Sequence, residues 1–97
     1  MSQHYPVTGD HREGRDYDIH RPEGSVDWLV ILTLEGAGEV GHRLPLERVE
    51  PYDVVLFQPG IEHRYRTDSE AGRWNFVWAH FVPPKAWLGW LQWPERA

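Results

Sequence analysis

Val54-Val55-Leu56-Phe57-Gln58-Pro59-Gly60-Ile61-Glu62-His63-Arg64-Tyr65 holds one strand, a turn and the opening of a second strand. Val54–Phe57 is rich in β-formers, Pro59-Gly60 closes it, and Glu62–Tyr65 alternates charged with ring-bearing residues. The same grammar extends upstream. Glu50-Pro51-Tyr52-Asp53 reads as a turn, and Glu39–Gly41 and Leu44–Val49 as short strands, with Pro45 demoting the second to an edge. Gly36-Ala37-Gly38 breaks the run Trp28–Leu34, which is apolar on both faces and predicts a strand buried on both sides. Tyr17–Arg21 alternates, then turns at Pro22-Glu23-Gly24-Ser25. Downstream, Thr67–Gly72 is a polar turn and Arg73–Val82 the longest strand candidate. About seven short strands with frequent turn signals predict an all-β sandwich or barrel over residues 17–83.

The flanks differ in character. Residues 1–16 are polar and lack a period, which reads as an arm, ordered only where something holds it. From Pro83, prolines at a start and a stop frame a short Trp-rich helix over 84–94, with Trp87, Trp90 and Leu91 on one face. So short a helix needs a surface to pack on.

With 97 residues the chain has material for one domain and one core. Ten Lys+Arg against fifteen Asp+Glu argue against broad electrostatic binding to nucleic acid or anionic membranes. No cysteine is present, so disulfides and thiolate metal sites are excluded. The longest apolar run, Trp28–Leu32, is too short to span a bilayer, and no signal peptide opens the chain; the expectation is a cytoplasmic domain. Six Trp, four Tyr and three Phe suit either a small core or the wall of a sugar site.

Strand parity sorts the side chains. Tyr17, Ile19 and Arg21 share the apolar face of their strand, which aims Arg21 inward unless the register slips next to Pro22; it then needs an internal acid, several carbonyls or a polar ligand. His63 and Tyr65 face opposite to Glu62 and Arg64, as core residues or as polar contacts inside a dry space. Trp74, Phe76, Trp78 and His80 share one face of the last strand. An interior holding an arginine, a tyrosine, a histidine and two tryptophans has the mixed chemistry of a sugar pocket, although either tryptophan alone reads better as core.

The segment from Pro51 to Tyr65 is similar to the cupin pattern of a Gly-Asp pair followed by Pro-Gly, two residues and His, with Tyr52 in place of the glycine. That resemblance implies a jelly-roll β-barrel. A narrower one covers residues 17–94. Arg21-Pro22-Glu23-Gly24, Trp28–Gly38, Val54–Tyr65, Trp74–Phe81 and Trp87–Pro94 follow the order and spacing of the effector-binding domain of AraC-type transcription regulators. The resemblance implies a non-catalytic sensor of a small molecule, often a sugar such as arabinose. In the full-length regulators, dimerising helices and a DNA-binding region follow, so that homodimerisation and DNA contact belong to parts beyond this barrel. Carried across by motif, the family's sugar-contacting arginine falls on Arg21, its pocket tyrosine on Tyr65 and its stacking tryptophan on Trp78. Its pocket histidine falls on Phe76, which removes a polar contact. The family's arm folds over the sugar with a threonine, a place that Thr8 or His11 could take, and His63 would orient its neighbours or add a contact.

Many cupins are metalloenzymes, such as isomerases and dioxygenases, and this defines the competing reading. Their later histidine matches His63, but Leu29 stands where the ligand glutamate should be, and Glu23–Val26 contains no histidine. His42 and His80 are the other candidates. One histidine does not hold a divalent ion, so neither a metal nor any other cofactor is expected. A third reading makes the chain an interaction module using its Trp-rich tail.

Overall fold

The computed structural model describes residues 7–82. The helix expected over 84–94 lies outside them, as do residues 1–6. Among the described residues eight strands succeed one another: β1 (Val7–Gly14), β2 (Asp18–Arg21), β3 (Trp28–Gly36), β4 (Gly38–Gly41), β5 (Glu47–Val49), β6 (Val54–Phe57), β7 (His63–Thr67) and β8 (Arg73–Phe81). They form two four-stranded sheets ordered β1-β8-β3-β6 and β2-β7-β4-β5. Every pairing is antiparallel, and the chain crosses between the sheets repeatedly. This is the two-sheet, all-β architecture that the strand count and turn spacing predict, and the jelly roll that the resemblance implies. No helix among the described residues is long and apolar enough to cross a membrane.

The two inner faces supply the core. Leu29, Ile31, Val40, Val49, Val55, Phe57, Tyr65, Trp74 and Phe76 form one buried cluster, with Tyr17, Ile19 and Trp78 packed against it. Trp74 is wholly buried, and its indole Nε1–H donates to the Thr33 hydroxyl at 3.0 Å, which satisfies the one polar atom of that ring. β3 departs from the expectation of burial on both sides. Leu29, Ile31 and Thr33 are buried, whereas Val30 and Leu32 are half-exposed and Leu34 is exposed. The outer face of this sheet is therefore open over the described residues, and the run is apolar there without being covered by them.

The N-terminal stretch shows what holds it. Residues 7–14 pair along β8 in continuous register from Val7 opposite His80 to Gly14 opposite Arg73. β8 would otherwise be an edge, and its free backbone groups are satisfied by β1 whatever side chains β1 carries. β5 is the edge strand of its sheet, as expected, but Pro45 stands before it rather than within it.

The outer face of the second sheet is polar and cross-linked. Arg64 donates to both carboxylate oxygens of Asp18 at 3.1 and 2.8 Å, Arg66 pairs with Glu39 at 2.9 Å, and His20 with Glu62 at 2.8 Å. The Arg64 hydrogen bonds hold the Asp18 carboxyl below the usual carboxylate range, and the His20 bond does the same for Glu62. These are solvent-facing pairs, and they fix register more than they stabilise.

Two backbone positions explain sequence features. Gly36, with φ at 72°, starts the turn from β3 to β4, and a Cβ there would lie 2.2 Å from the Arg73 carbonyl oxygen. Tyr52, which stands where the cupin pattern has glycine, also has positive φ, at 74°. Its N–H donates to the Thr33 carbonyl at 2.7 Å, so the turn geometry is kept although the residue is not the one suited to it.

Candidate functional site

Between the sheets lies a cavity of about 210 Å³. Tyr17, Ile19, Arg21 and Tyr65 line it from the β2–β7 side. His11, Leu29, Ile31, Phe76, Trp78 and His80 line it from the opposite sheet. The volume is below the ~300 Å³ at which pockets for drug-sized ligands begin, and suits a ligand of one small ring.

Register arranges these groups in tiers. On β8, His80 lies opposite Leu29, Trp78 opposite Ile31 and Phe76 opposite His11. On β7, Tyr65 lies opposite Ile19 and His63 opposite Arg21. One end of the cavity is aromatic. Tyr17 stands 5.8 Å from Phe76 and 6.3 Å from Tyr65 between ring centroids, and the His11 ring stacks on Phe76 at 5.1 Å. The other end is polar, with Arg21 and His80 near His63. His80 Nδ1 lies 2.8 Å from an Asp27 carboxylate oxygen, and His11 Nδ1 bonds Glu13. An acceptor-only carboxylate at Nδ1 places the ring hydrogen there and leaves Nε2 as each neutral ring's acceptor.

Burial sets the protonation of two members. Burial first, then the charge of Tyr65 and Glu13, pushes the Tyr17 hydroxyl above its ordinary range, so it remains a neutral donor and acceptor. Burial, then the charges of Arg21 and His80, pushes His63 down to about 4, against a smaller opposing pull from the Gly24 backbone, which lies outside hydrogen-bonding geometry. His63 is 1% exposed, and neither ring nitrogen has a hydrogen-bond partner among the described residues.

Of the residues singled out in the sequence, Arg21, Tyr65, Trp78, His11 and Phe76 come together on the cavity wall. His63 does not line it. It packs behind, 4.9 Å from Phe57 and 5.7 Å from Tyr65 between ring centroids. Thr8 is not on the wall either. Gly9 and His11 turn toward the interior, so Thr8, of the opposite parity, points outward beside Val30, Val77 and Ala79. Trp74 is core. Tyr17 and His80 were inward by parity yet not picked out as contacts, and the aliphatic floor of Ile19, Leu29 and Ile31 carried no signal beyond hydrophobicity.

The model of the AraC-like ligand binding domain matches residues 6–97. The chain belongs to that family. The arabinose operon regulatory protein of Escherichia coli strain K12 is 37% identical over 80 residues, which are 82% of this chain and 27% of the relative. That of Salmonella typhimurium is 34% identical over 79 residues, 81% of this chain and 28% of the relative. The AraC-like chain thus spans little more than a quarter of these curated relatives. Among solved structures, a cupin superfamily protein from Desulfitobacterium hafniense DCB-2 superposes with a TM-score of 0.70 at 12% identity, covering 86% of this chain and 72% of that one. Hydroxypropylphosphonic acid epoxidase from S. wedmorenis gives 0.59 at 12% identity, over 78% and 42%. These likenesses establish the cupin fold.

Because cupins include metalloenzymes, the donor set decides whether this AraC-like domain fits a metal. Among the described residues no group of three or more His, Asp or Glu side chains converges. His63, at the position of the cupin ligand histidine, has Arg21 opposite it rather than a carboxylate, and His80 is engaged by Asp27. The described residues do not fit a divalent ion.

Proposed function

We propose that this AraC-like domain is the non-catalytic sensor of a transcription regulator, and that its effector is a monosaccharide-sized polyol held between the two sheets. The observation that carries the reading is the meeting of Arg21, Tyr65 and Trp78, from three separate strands, around one small cavity. Trp78 offers a flat face to the C–H side of a ring, Tyr65 and Tyr17 exchange hydrogen bonds with hydroxyls, and Arg21 donates from the mouth. The family match and the arabinose regulators support a sensor rather than an enzyme.

Signalling follows from β1. His11 puts the N-terminal strand into the cavity wall, so a ligand touching His11 favours the docked strand over any other surface that the N-terminal segment contacts. In a full-length, dimeric, cytoplasmic regulator that other surface would be the DNA-binding part, and DNA would be bound only there. Calorimetry with L-arabinose, D-xylose, D-fucose and D-galactose, joined to amide exchange, tests both steps. Binding accompanied by slower exchange across residues 8–13 is expected. Binding with unchanged exchange there would remove β1 from the mechanism, and no effect of any small molecule on Trp fluorescence or melting would remove the sensor.

A further inference from the structure

The charge on the cavity wall is one-sided. Acidic residues outnumber basic ones fifteen to ten in the chain, yet among the described residues no Asp or Glu lines this cavity. Among the described residues its one permanent charge is Arg21, whose guanidinium has no ion pair or hydrogen bond with any of them. On the outer face, by contrast, Arg64 and Arg66 each hold a carboxylate. The acids nearest the wall, Glu13 and Asp27, are engaged from behind by His11 and His80. Opposite Arg21 in the sheet stands His63, another base.

Donor and acceptor chemistry then discriminates between ligands. Vicinal sugar hydroxyls bind best where carboxylates accept from them, and this wall has none. A guanidinium can only donate, and its planar fork matches two oxygens of one anion. Arg21 is also exposed at the mouth, so it retains part of its hydration and an anion can reach it without being fully desolvated. Deeper in, Tyr17, Tyr65, Phe76 and Trp78 make an uncharged, ring-lined chamber.

We propose that the effector is an acid of monosaccharide size, its carboxylate or phosphate held by Arg21 at the mouth and its ring body lying along Trp78 and the tyrosines. The inference rests on the reading of this cavity as the effector site and specifies the ligand's charge.

Matched probes test it on the full chain at low salt: D-galactose against D-galacturonate, D-xylose against D-xylonate, and D-glucose against glucose 6-phosphate, by calorimetry. At least one acid should bind tenfold or more tightly than its neutral partner. The preference should collapse toward unity in Arg21→Gln, survive in part in Arg21→Lys, and shrink as salt is raised. A uronate or aldonate preference assigns a carboxylate, and a preference for the phosphate ester assigns a phosphate. Neutral sugars binding as well as their acids would overturn the charge assignment and leave the sensor reading intact. An acid preference unchanged in Arg21→Gln, with the variant melting like the parent, would overturn the role of Arg21. Absence of binding by every probe would sink both this inference and the sugar reading on which it rests.

Discussion

Gly9 stands directly against the Trp78 indole: a Cβ at position 9 would lie 2.6 Å from Trp78 Cζ2. The strand that covers the cavity can therefore close only because it has no side chain at that point. Overpacking a fitted contact typically costs about 1–3 kcal/mol. Gly9→Ala is expected to lift β1 from β8 or swing the indole, with faster amide exchange over residues 8–13 and effector affinity lowered at least tenfold. An alanine variant with parental exchange and affinity would show that the Gly9–Trp78 contact does not govern closure.

Tyr52 holds positive φ without the freedom of glycine. Left-handed backbone costs a non-glycine residue about 1–2 kcal/mol, and glycine's extra unfolded-state entropy returns part of that. Since the ring is 79% exposed, little packing is lost with it. Tyr52→Gly is expected to stabilise the domain by about 0.5–1 kcal/mol in urea unfolding. A net loss would mean that the ring does something the turn needs.

His63 makes stability depend on pH. Its folded-state value of about 4 lies below the ordinary 6.5, so between them the unfolded chain binds the extra proton. Stability is thus complete above pH 6.5 and is lost as pH falls toward 4, by on the order of 3 kcal/mol. The difference between wild type and His63→Leu isolates this group from the other histidines. That difference should change steeply between pH 6.5 and 4 and stay flat from 7 to 9. A flat difference across the acid range would place the imidazole in contact with water or an acid.

The Thr33 hydroxyl is the hydrogen-bond partner of the buried Trp74 Nε1. Thr33→Val keeps the shape and orphans the indole donor, at a cost of about 1–3 kcal/mol. The loss should appear in thermal unfolding with no change in effector affinity, because neither residue lines the cavity. An affinity loss equal to that of a cavity variant would contradict the division between core and wall.

Which face β2, β7 and β8 turn inward was legible in the sequence, because alternation is a property of the strand itself. Tyr17, Ile19 and Arg21 on one element and Trp74, Phe76, Trp78 and His80 on another point as their parity requires. Depth was not legible. His63 and Trp74 share inward parity with the wall residues but sit behind them, since depth depends on how the two sheets stack and on the neighbours' bulk. β1 was invisible for another reason. Its residues Thr8–Glu13 have no apolar period, and it is held by backbone bonding to β8, which side chains do not encode. The shift of register between Thr33 and Glu35 similarly interrupts the alternation of β3 near its end.

Tyr65 offers the narrowest test of the wall. The residue is buried, its ring packs on Phe57, Tyr17 and Trp74, and it lines the cavity. Tyr65→Phe deletes one oxygen and keeps all of that packing. Stability should therefore stay within about 0.5 kcal/mol, while the loss of one hydrogen bond to the effector, worth about 0.5–1.5 kcal/mol, should weaken binding by up to about tenfold. Calorimetry and urea unfolding on the same preparation separate the two effects. A stability loss without an affinity loss would make the hydroxyl a structural group and move the effector's contacts toward Arg21 and Tyr17.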